Sequence, residues 1–149
     1  MRIISGIARG TKLETLEGKD TRPTLDRVKE PLFSIIQAYI YDAEVLDLFS
    51  GSGALALESI SRGAKKAVSC DKSRKAIEII KKNVQKTHFE ASVDILNKDY
   101  RKALDELKNK TFDIIFLDPP YETDFGIEAI KIIMQNNKLK EERNNSFWN

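Results

Sequence analysis

The residues with the strongest chemical character are Asp118-Pro119-Pro120-Tyr121, which follow an apolar run. A carboxylate and a proline carbonyl can each accept one N–H of a planar amino group, and the prolines fix the direction of that carbonyl. An aromatic ring directly after them can stack on a flat base. Two prolines also end a strand, but that role leaves the acid and the ring unexplained. The four residues therefore predict a site that holds the amino group of a guanine or an adenine.

A glycine turn earlier in the chain could hold a nucleotide-like ligand. Val45 to Phe49 is an apolar run, Gly51-Ser52-Gly53 follows it, and good helix formers that include Ala56 continue. That order predicts a strand, a tight turn and a helix, in which glycine accepts positive φ and leaves the main chain open to a ligand. The spacing fits a nucleotide-binding turn, although a turn that needs glycine only for steric reasons has the same pattern.

Two acids near this turn indicate what the ligand is. Asp47 lies inside the predicted strand, where a carboxylate is costly to bury unless it is paired or faces a ligand. Asp71 closes the next apolar run, twenty residues after Gly51, where an acid can accept hydrogen bonds from both hydroxyls of a ribose. S-adenosylmethionine has a ribose and a cationic end, so we expect it as the cofactor. A nicotinamide oxidoreductase fits the glycines but leaves Asp47 and residues 118–121 unexplained.

The elements that must position these residues alternate along the chain. Strand patterns at 45–49, 66–70, 93–96 and 112–118 alternate with helix patterns at about 54–62, 73–86, 100–107 and 125–135. This order predicts an α/β fold, a doubly wound, mostly parallel Rossmann-like sheet. The carboxyl ends of parallel strands meet at one edge of a sheet. We therefore expect the glycine turn, Asp71, Asp99 and Asp118 to converge there.

The length of 149 residues suits a single domain. We expect a β-hairpin extension over 1–20, a helical lead-in over 21–43, the cofactor-binding and catalytic core over 44–135, and an irregular tail over 136–149. Within the lead-in, Pro31 either separates a turn at 24–29 from a helix at 31–41 or kinks one continuous helix.

Composition limits the classes of protein and the cellular compartments that fit this chain. The chain has one cysteine, Cys70, and one histidine, His88, which excludes an internal disulfide and predicts no metal site. A single cysteine suits a reducing cytosol, so we expect a cytoplasmic protein. No apolar run approaches the roughly 20 residues of a membrane span, so we expect no membrane partner. The net charge is only +2, but the first twelve residues carry Arg2, Arg9 and Lys12 and no acid. Such a basic arm can bind the phosphates of RNA. From composition alone, a solvated hairpin whose charge has no function is an equally good interpretation.

Four further segments of the chain have distinctive sequences. They are Met1-Arg2-Ile3-Ile4-Ser5-Gly6, Arg9-Gly10, Arg22-Pro23-Thr24-x-Asp26-Arg27-Val28-Lys29-Glu30-x-Leu32-Phe33 and Leu46-Asp47-Leu48-Phe49-Ser50-Gly51-Ser52-Gly53-Ala54-Leu55. Together with residues 118–121 they resemble the RsmD family of class I S-adenosylmethionine-dependent methyltransferases. The resemblance covers about residues 1–135. It implies methylation of N2 of one guanine in 16S ribosomal RNA, free or in the assembling small subunit.

The resemblance also implies roles for the matching residues. Asp99 suits a helix N-cap as well as a ligand, and one residue can do both. The target guanine would be held by Asp118, Pro119, Pro120 and Tyr121, and RNA would contact Arg2, Arg9 and Lys12. The cofactor would be bound by Arg22, Pro23, Thr24, Asp47, Phe49, Ser50, Gly51, Ser52, Gly53, Asp71, Lys72, Asp99, Tyr100 and Asp118.

The C-terminus departs from the family pattern. The family continues with a buried fifth strand and a two-stranded hairpin, whereas residues 140–149 are polar. We therefore expect that these strands are lacking, that residues 112–117 form an open sheet edge, and that this edge can pair two copies into a dimer. Two other functions stay open: a DNA adenine-N6 methyltransferase, and a non-catalytic RNA-binding remnant of the ribosomal RNA enzyme.

Overall fold

Helices and strands alternate along the chain. The computed structural model describes residues 1–16, 24–119, 132 and 139. Within these ranges the helices are α1 (Thr24–Ile40), α2 (Ala54–Ser61), α3 (Arg74–Thr87) and α4 (Tyr100–Glu106). The strands are β1 (Glu44–Asp47), β2 (Lys66–Cys70), β3 (Val93–Leu96) and β4 (Ile114–Phe116).

The strands that the structure describes form one parallel sheet in the order β3-β2-β1-β4. The chain winds outward from β1 to β3 and then returns to place β4 on the other side of β1. The order therefore reverses between β1 and β4, and in such sheets ligands bind at the carboxyl ends of the strands beside this point. Asp47 ends β1 opposite Phe116, which ends β4. The predicted α/β doubly wound fold is confirmed.

Alternate strand residues pack on the two faces of the sheet, as the pleat requires. Val45 of β1 belongs to the core that α1, α2 and α3 cover, whereas Leu46 belongs to the core that α4 covers. Both side chains are fully buried. A strand that is apolar on both faces is typical of a sheet buried between two helical layers.

Helix α1 runs without a break through Pro31. Of the two alternatives in the sequence, the single helix is the one observed. Proline has no N–H to donate within the helix, but three apolar side chains, Phe33, Ile36 and Ile40, are each at most 5% exposed and hold this helix on the core. Tertiary packing therefore outweighs the local preference.

The N-terminal segment forms the expected hairpin, joined by a single antiparallel bridge between Arg2 and Lys12 instead of a regular ladder. The Ile3 amide donates to the Thr11 carbonyl over 2.9 Å, and the Leu13 amide donates to the Met1 carbonyl over 2.8 Å. The side chains of Ile3 and Leu13 are buried in the core. The hairpin is thus packed onto the domain while its charged side chains face solvent.

At the other end, β4 is shorter than the predicted 112–118. Most of the predicted helix over 125–135 and of the tail lies outside the described residues. Leu139, expected in an irregular tail, forms an isolated parallel bridge with Phe112 just before β4. Dimer formation through this edge stays a prediction. No helix in the described part of the chain is both long and apolar enough to cross a membrane.

Candidate active site

The glycine turn connects β1 to α2 at the carboxyl edge of the sheet. Gly51 and Gly53 have φ angles of 59° and 82°, and Gly53 caps α2. A Cβ on Gly53 would touch Ile80 of α3 at 3.4 Å. A Cβ on Gly51 would meet no heavy atom of the described residues within 4 Å. Gly53 therefore serves backbone conformation and packing, whereas Gly51 combines its backbone conformation with open space in which a ligand can approach.

Asp71 fixes the shape of this turn. It follows β2, and its Oδ2 accepts the Gly51 amide at 2.9 Å while its Oδ1 accepts the Ser73 amide at 2.9 Å. An ionised carboxylate has about four lone-pair sites, so these two bonds leave room for ligand hydroxyls. The sequence predicts Asp71 as a ribose ligand; the bond to Gly51 gives it an added role in the loop itself. Ribose binding stays a prediction.

Asp47 is the most deeply buried acid of the site. It is fully buried at the end of β1, where its carboxylate accepts the Ser50 hydroxyl at 3.0 Å and the Phe49 amide at 3.4 Å. Ser50 in turn shares a hydrogen bond with the Ser69 hydroxyl of β2. Burial raises the pKa of Asp47 from its ordinary 3.8 to about 7, against these hydrogen bonds, and repulsion from Asp118 and Asp71 adds to the rise.

The mutual repulsion shows that carboxyl groups from three strand ends, β1, β2 and β4, share one region. The expected convergence of the strand ends is observed for Asp71 and Asp118, and Asp47 lies with them. Concentrated negative charge in a partly buried site favours a cationic ligand, because such a ligand lowers the cost of ionising Asp47. Nothing in the pairing of these strands requires such a cluster, so these three acids are the candidate functional residues of this edge.

A cavity of about 300 Å³ lies beside Asp118. This volume is at the lower end of the range of about 300–1,000 Å³ for small-molecule sites. Among the lining residues that the structure describes, Asp118 supplies the one carboxylate and the others are apolar. The lining residues are Val28 and Leu32 of α1, Leu55 of α2, and Ile115 to Asp118.

Sequence reasoning missed the cavity residues of α1 and α2. Val28 and Leu32 lie one turn apart on the apolar face of α1, and that spacing has the same appearance as ordinary core packing. In the structure the Val28 side chain is 51% exposed, which distinguishes it from a buried core residue. An apolar side chain that faces a cavity cannot be separated from a core side chain in the sequence.

Asp99 and its neighbours lie at the carboxyl end of β3. The Asp99 Oδ1 accepts the Lys102 amide at 2.9 Å, so the N-cap role is observed, and the ligand role stays a prediction. Tyr100 is buried, and its ring packs on Phe49 at 5.5 Å between centroids. Asn97, which the sequence did not single out, donates to the carbonyls of Asp71 and Lys72 at 3.1 Å.

Five predicted residues lie wholly or partly outside the described part of the chain. Thr24 begins α1, but its side chain lies outside the described residues, as do Arg22, Pro23, Pro120 and Tyr121 altogether. Pro119 is half-buried directly after Asp118. The three predicted RNA-binding residues, Arg2, Arg9 and Lys12, are all exposed on the N-terminal hairpin.

A buried carboxylate joins this hairpin to the core. Glu58 of α2 accepts the Ile4 amide at 2.9 Å and the Ser5 amide at 3.1 Å. It also pairs with Lys29 of α1 at 3.0 Å and with Arg62 at 2.8 Å. Burial alone opposes ionisation of Glu58, but these bonds outweigh it and hold its pKa below the ordinary value of 4.5. The Lys29 ammonium donates further to the Arg2 carbonyl at 2.8 Å.

Known proteins are similar to this chain in sequence and in architecture. A family model described as "Conserved hypothetical protein 95" matches residues 1–145. The Haemophilus influenzae protein named Ribosomal RNA small subunit methyltransferase D is 39% identical over 142 residues, which cover 94% of this chain and 74% of that protein.

Solved structures extend the comparison. The yhhF protein of Escherichia coli superposes with a TM-score of 0.82 at 36% identity, over 95% of this chain and 76% of that chain. The SMU.776 protein, crystallised in complex with SAH (S-adenosylhomocysteine), has a TM-score of 0.66 at 23% identity. That match covers 84% of this chain and 35% of that chain, and at this identity it shows a shared fold.

Proposed function

The chain belongs to the RsmD family, matched by the model described as "Conserved hypothetical protein 95", and we propose that it methylates N2 of a guanine in 16S ribosomal RNA with S-adenosylmethionine. The observation that carries this proposal is the cluster of Asp47, Asp71 and Asp118 beside the glycine turn. The Haemophilus influenzae relative is named for ribosomal RNA small-subunit methylation. Guanine N2 as the methylated atom rests on the Asp118-Pro119-Pro120-Tyr121 motif.

The residues fit S-adenosylmethionine. Gly51 offers open space next to the main chain, Asp71 has lone pairs for ribose hydroxyls, and buried Asp47 gains from a nearby cation. Asp99, Tyr100, Phe49 and Lys72 border the same edge and are proposed to surround the adenosine part. The cofactor, when bound, supplies an electrophilic methyl group on a sulfonium.

The residues after β4 act on the other substrate. The Asp118 carboxylate and the Pro119 carbonyl each accept one N–H of the guanine amino group, which orients its nitrogen toward the methyl group. As the bond from this nitrogen to the methyl carbon forms and the methyl–sulfur bond breaks, the nitrogen gains positive charge, and a fixed carboxylate stabilises that charge more in the transition state than in the ground state. The nitrogen then loses one of its two protons, which the Asp118 carboxylate can accept. Tyr121 is proposed to stack on the base. Positioning of the two reactants supplies much of the remaining acceleration.

We expect S-adenosylmethionine binding to strengthen as the pH rises from about 6 to 8. Asp47 has a pKa of about 7 in the free protein, so below that pH it is largely protonated. A bound cation lowers the pKa of Asp47, and binding below pH 7 therefore releases a proton. Calorimetry in buffers with different ionisation enthalpies measures this release.

The matched variant for this test is Asp47→Asn, which keeps the shape and removes the titration. It should bind more weakly at pH 8 and show no proton release at pH 6. Equal proton release in parent and variant would assign the titration to another group.

RNA binding should depend on the exposed basic residues of the hairpin. Replacing Arg2, Arg9 and Lys12 by alanine removes up to three phosphate contacts, so we expect weaker binding to 16S RNA and a salt dependence reduced by about 2–3 in slope. The measurement is RNA affinity against salt concentration. Alanine at three exposed lysines of α3, Lys75, Lys81 and Lys86, removes the same charge elsewhere and should leave the slope nearly unchanged.

The proposed reaction is tested by incubating the protein with labelled S-adenosylmethionine and 16S RNA, or small subunits, from cells that lack this activity. Digestion to nucleosides followed by mass spectrometry should find N2-methylguanosine. Label in N6-methyladenine of DNA would favour the adenine methyltransferase instead. RNA binding without transfer of label, in a chain that binds the cofactor, would support the non-catalytic alternative.

A further inference from the structure

One buried amide connects the N-terminal segment to the glycine turn. Asn83 lies on α3 and is fully buried. Its Nδ2 donates to the Ser52 carbonyl at 2.8 Å and to the Glu14 carbonyl at 2.9 Å, while its Oδ1 accepts the Glu14 amide at 2.8 Å. The side chain therefore pairs with both backbone groups of Glu14, as a neighbouring strand would, and holds the turn at the same time.

The two segments that Asn83 joins have different proposed ligands. Ser52 is the central residue of the turn that would hold the cofactor. Glu14 directly follows the second arm of the hairpin, in which Lys12 pairs with Arg2 and the Leu13 side chain is buried in the core. Apart from this amide, Glu14 reaches α3 through a weak exposed ion pair with Lys82 at 3.8 Å, which does not extend to the turn.

We propose that Asn83 is a positioning residue that couples cofactor binding at the glycine turn to RNA binding at the N-terminal hairpin, an inference that rests on the proposed function. A ligand that restrains Ser52 also restrains the Asn83 amide and, through it, Glu14. A ligand that restrains the hairpin acts in the reverse direction. Such coupling is reciprocal: each ligand raises the affinity of the other by the same factor.

Because Asn83 is buried, the coupling between cofactor binding and RNA binding should depend on its side-chain amide. Removal of the side chain leaves the Ser52 carbonyl and both backbone groups of Glu14 without this partner. Buried polar groups keep their partners because leaving one unsatisfied is costly. The turn and the hairpin would then shift or loosen independently, and the factor between the two affinities would fall.

The test measures the affinity for a 16S RNA fragment with and without saturating SAH. For the parent chain we expect SAH to tighten RNA binding about tenfold, within the usual range of 5–150-fold for coupled sites. For Asn83→Ala we expect a factor close to one. A merely structural role would weaken each ligand separately and leave this factor unchanged, and that result would overturn the inference.

The matched control is Lys82→Ala, which removes a contact to the same Glu14 from the neighbouring position on α3. It should retain the parental factor. A parent that does not bind SAH would reject the proposed function. A parent that binds SAH and RNA with no coupling would reject only the role of Asn83.

Hydrogen exchange of the parent chain keeps the test decisive if Asn83→Ala does not fold. SAH should slow exchange of the Glu14 amide, which donates to Asn83. The Asp113 amide donates to the Glu44 carbonyl, away from both the hairpin and the glycine turn, and should exchange at an unchanged rate. Equal responses of the two amides to SAH would contradict the proposal.

Discussion

Replacing Asp118 by alanine should slow methyl transfer by about 10²–10³, because the proposed mechanism assigns to its carboxylate the role of a preorganised electrostatic partner of the transition state. The nitrogen of the guanine amine gains positive charge only as the methyl group moves. The loss should therefore appear mainly in kcat, while the affinity for S-adenosylmethionine stays close to that of the parent. Single-turnover transfer to 16S RNA, with cofactor affinity measured in parallel, checks this.

Two further variants separate the roles at this motif. Asp118→Asn keeps an acceptor oxygen without the charge, so its rate should lie between those of the parent and of Asp118→Ala. Tyr121→Phe keeps the ring and should be mild, whereas Tyr121→Ala should raise KM through lost stacking. Transfer at the parental rate by Asp118→Ala would show that the proposed mechanism is wrong, whatever the fold.

Replacing Glu58 by alanine should lower the free energy of unfolding by about 3–5 kcal/mol, because it leaves the buried Lys29 ammonium without its carboxylate. The amides of Ile4 and Ser5 lose their acceptor in the same step. Domains of this kind have a total stability of about 5–15 kcal/mol, so the effect should be evident in urea denaturation. Loss of the hairpin contact should also weaken RNA binding.

The pH dependence of stability follows from the same carboxylate. The pKa of Glu58 in the folded protein lies below its ordinary 4.5, so its ionisation stabilises the fold above that pH. This contribution is lost as the pH falls through the lower, folded value. Glu58→Gln should therefore flatten the acid limb of the stability profile.

An exposed ion pair provides the matched control. Glu106 pairs with Lys98, and both side chains are at least 40% exposed. Glu106→Ala should change stability by less than about 1 kcal/mol, as is usual for surface pairs. If Glu58→Ala cost no more than this control, the buried network would not be what holds the hairpin.

The site was predictable where backbone geometry and residue type coincide. Gly51, Gly53 and Asp71 follow apolar runs in a βαβ pattern, and parallel strands bring their carboxyl ends to one edge. The structure places these residues together as expected. Asp118 was predictable for the same reason, since it follows β4. The proline inside α1 was not, because local preference yields to a buried helix face.

Other hydrogen bonds and ion pairs of the structure join residues that are far apart in the chain. In the sequence, Glu58 has the character of an exposed helix residue. In the structure it is surrounded by Lys29, Arg62 and the hairpin. In the sequence, Asn83 is a polar residue among the apolar residues of one helix face. In the structure its side chain forms hydrogen bonds with the backbone of Glu14 and Ser52. Side chains of this kind acquire their partners only when distant elements pack together. The spacing of apolar and polar residues along one helix therefore does not predict these contacts.

The sequence by itself determined the doubly wound fold, the order of its elements and the acids at the strand ends, because periodicity and strand-to-helix turns are local properties. Only the tertiary structure decided the raised pKa of Asp47, the clamp of Asp71 on the glycine turn and the cavity beside Asp118. Each of these depends on burial and on distances between segments that are remote in the chain. Solvent exclusion and packing across the sheet set those quantities.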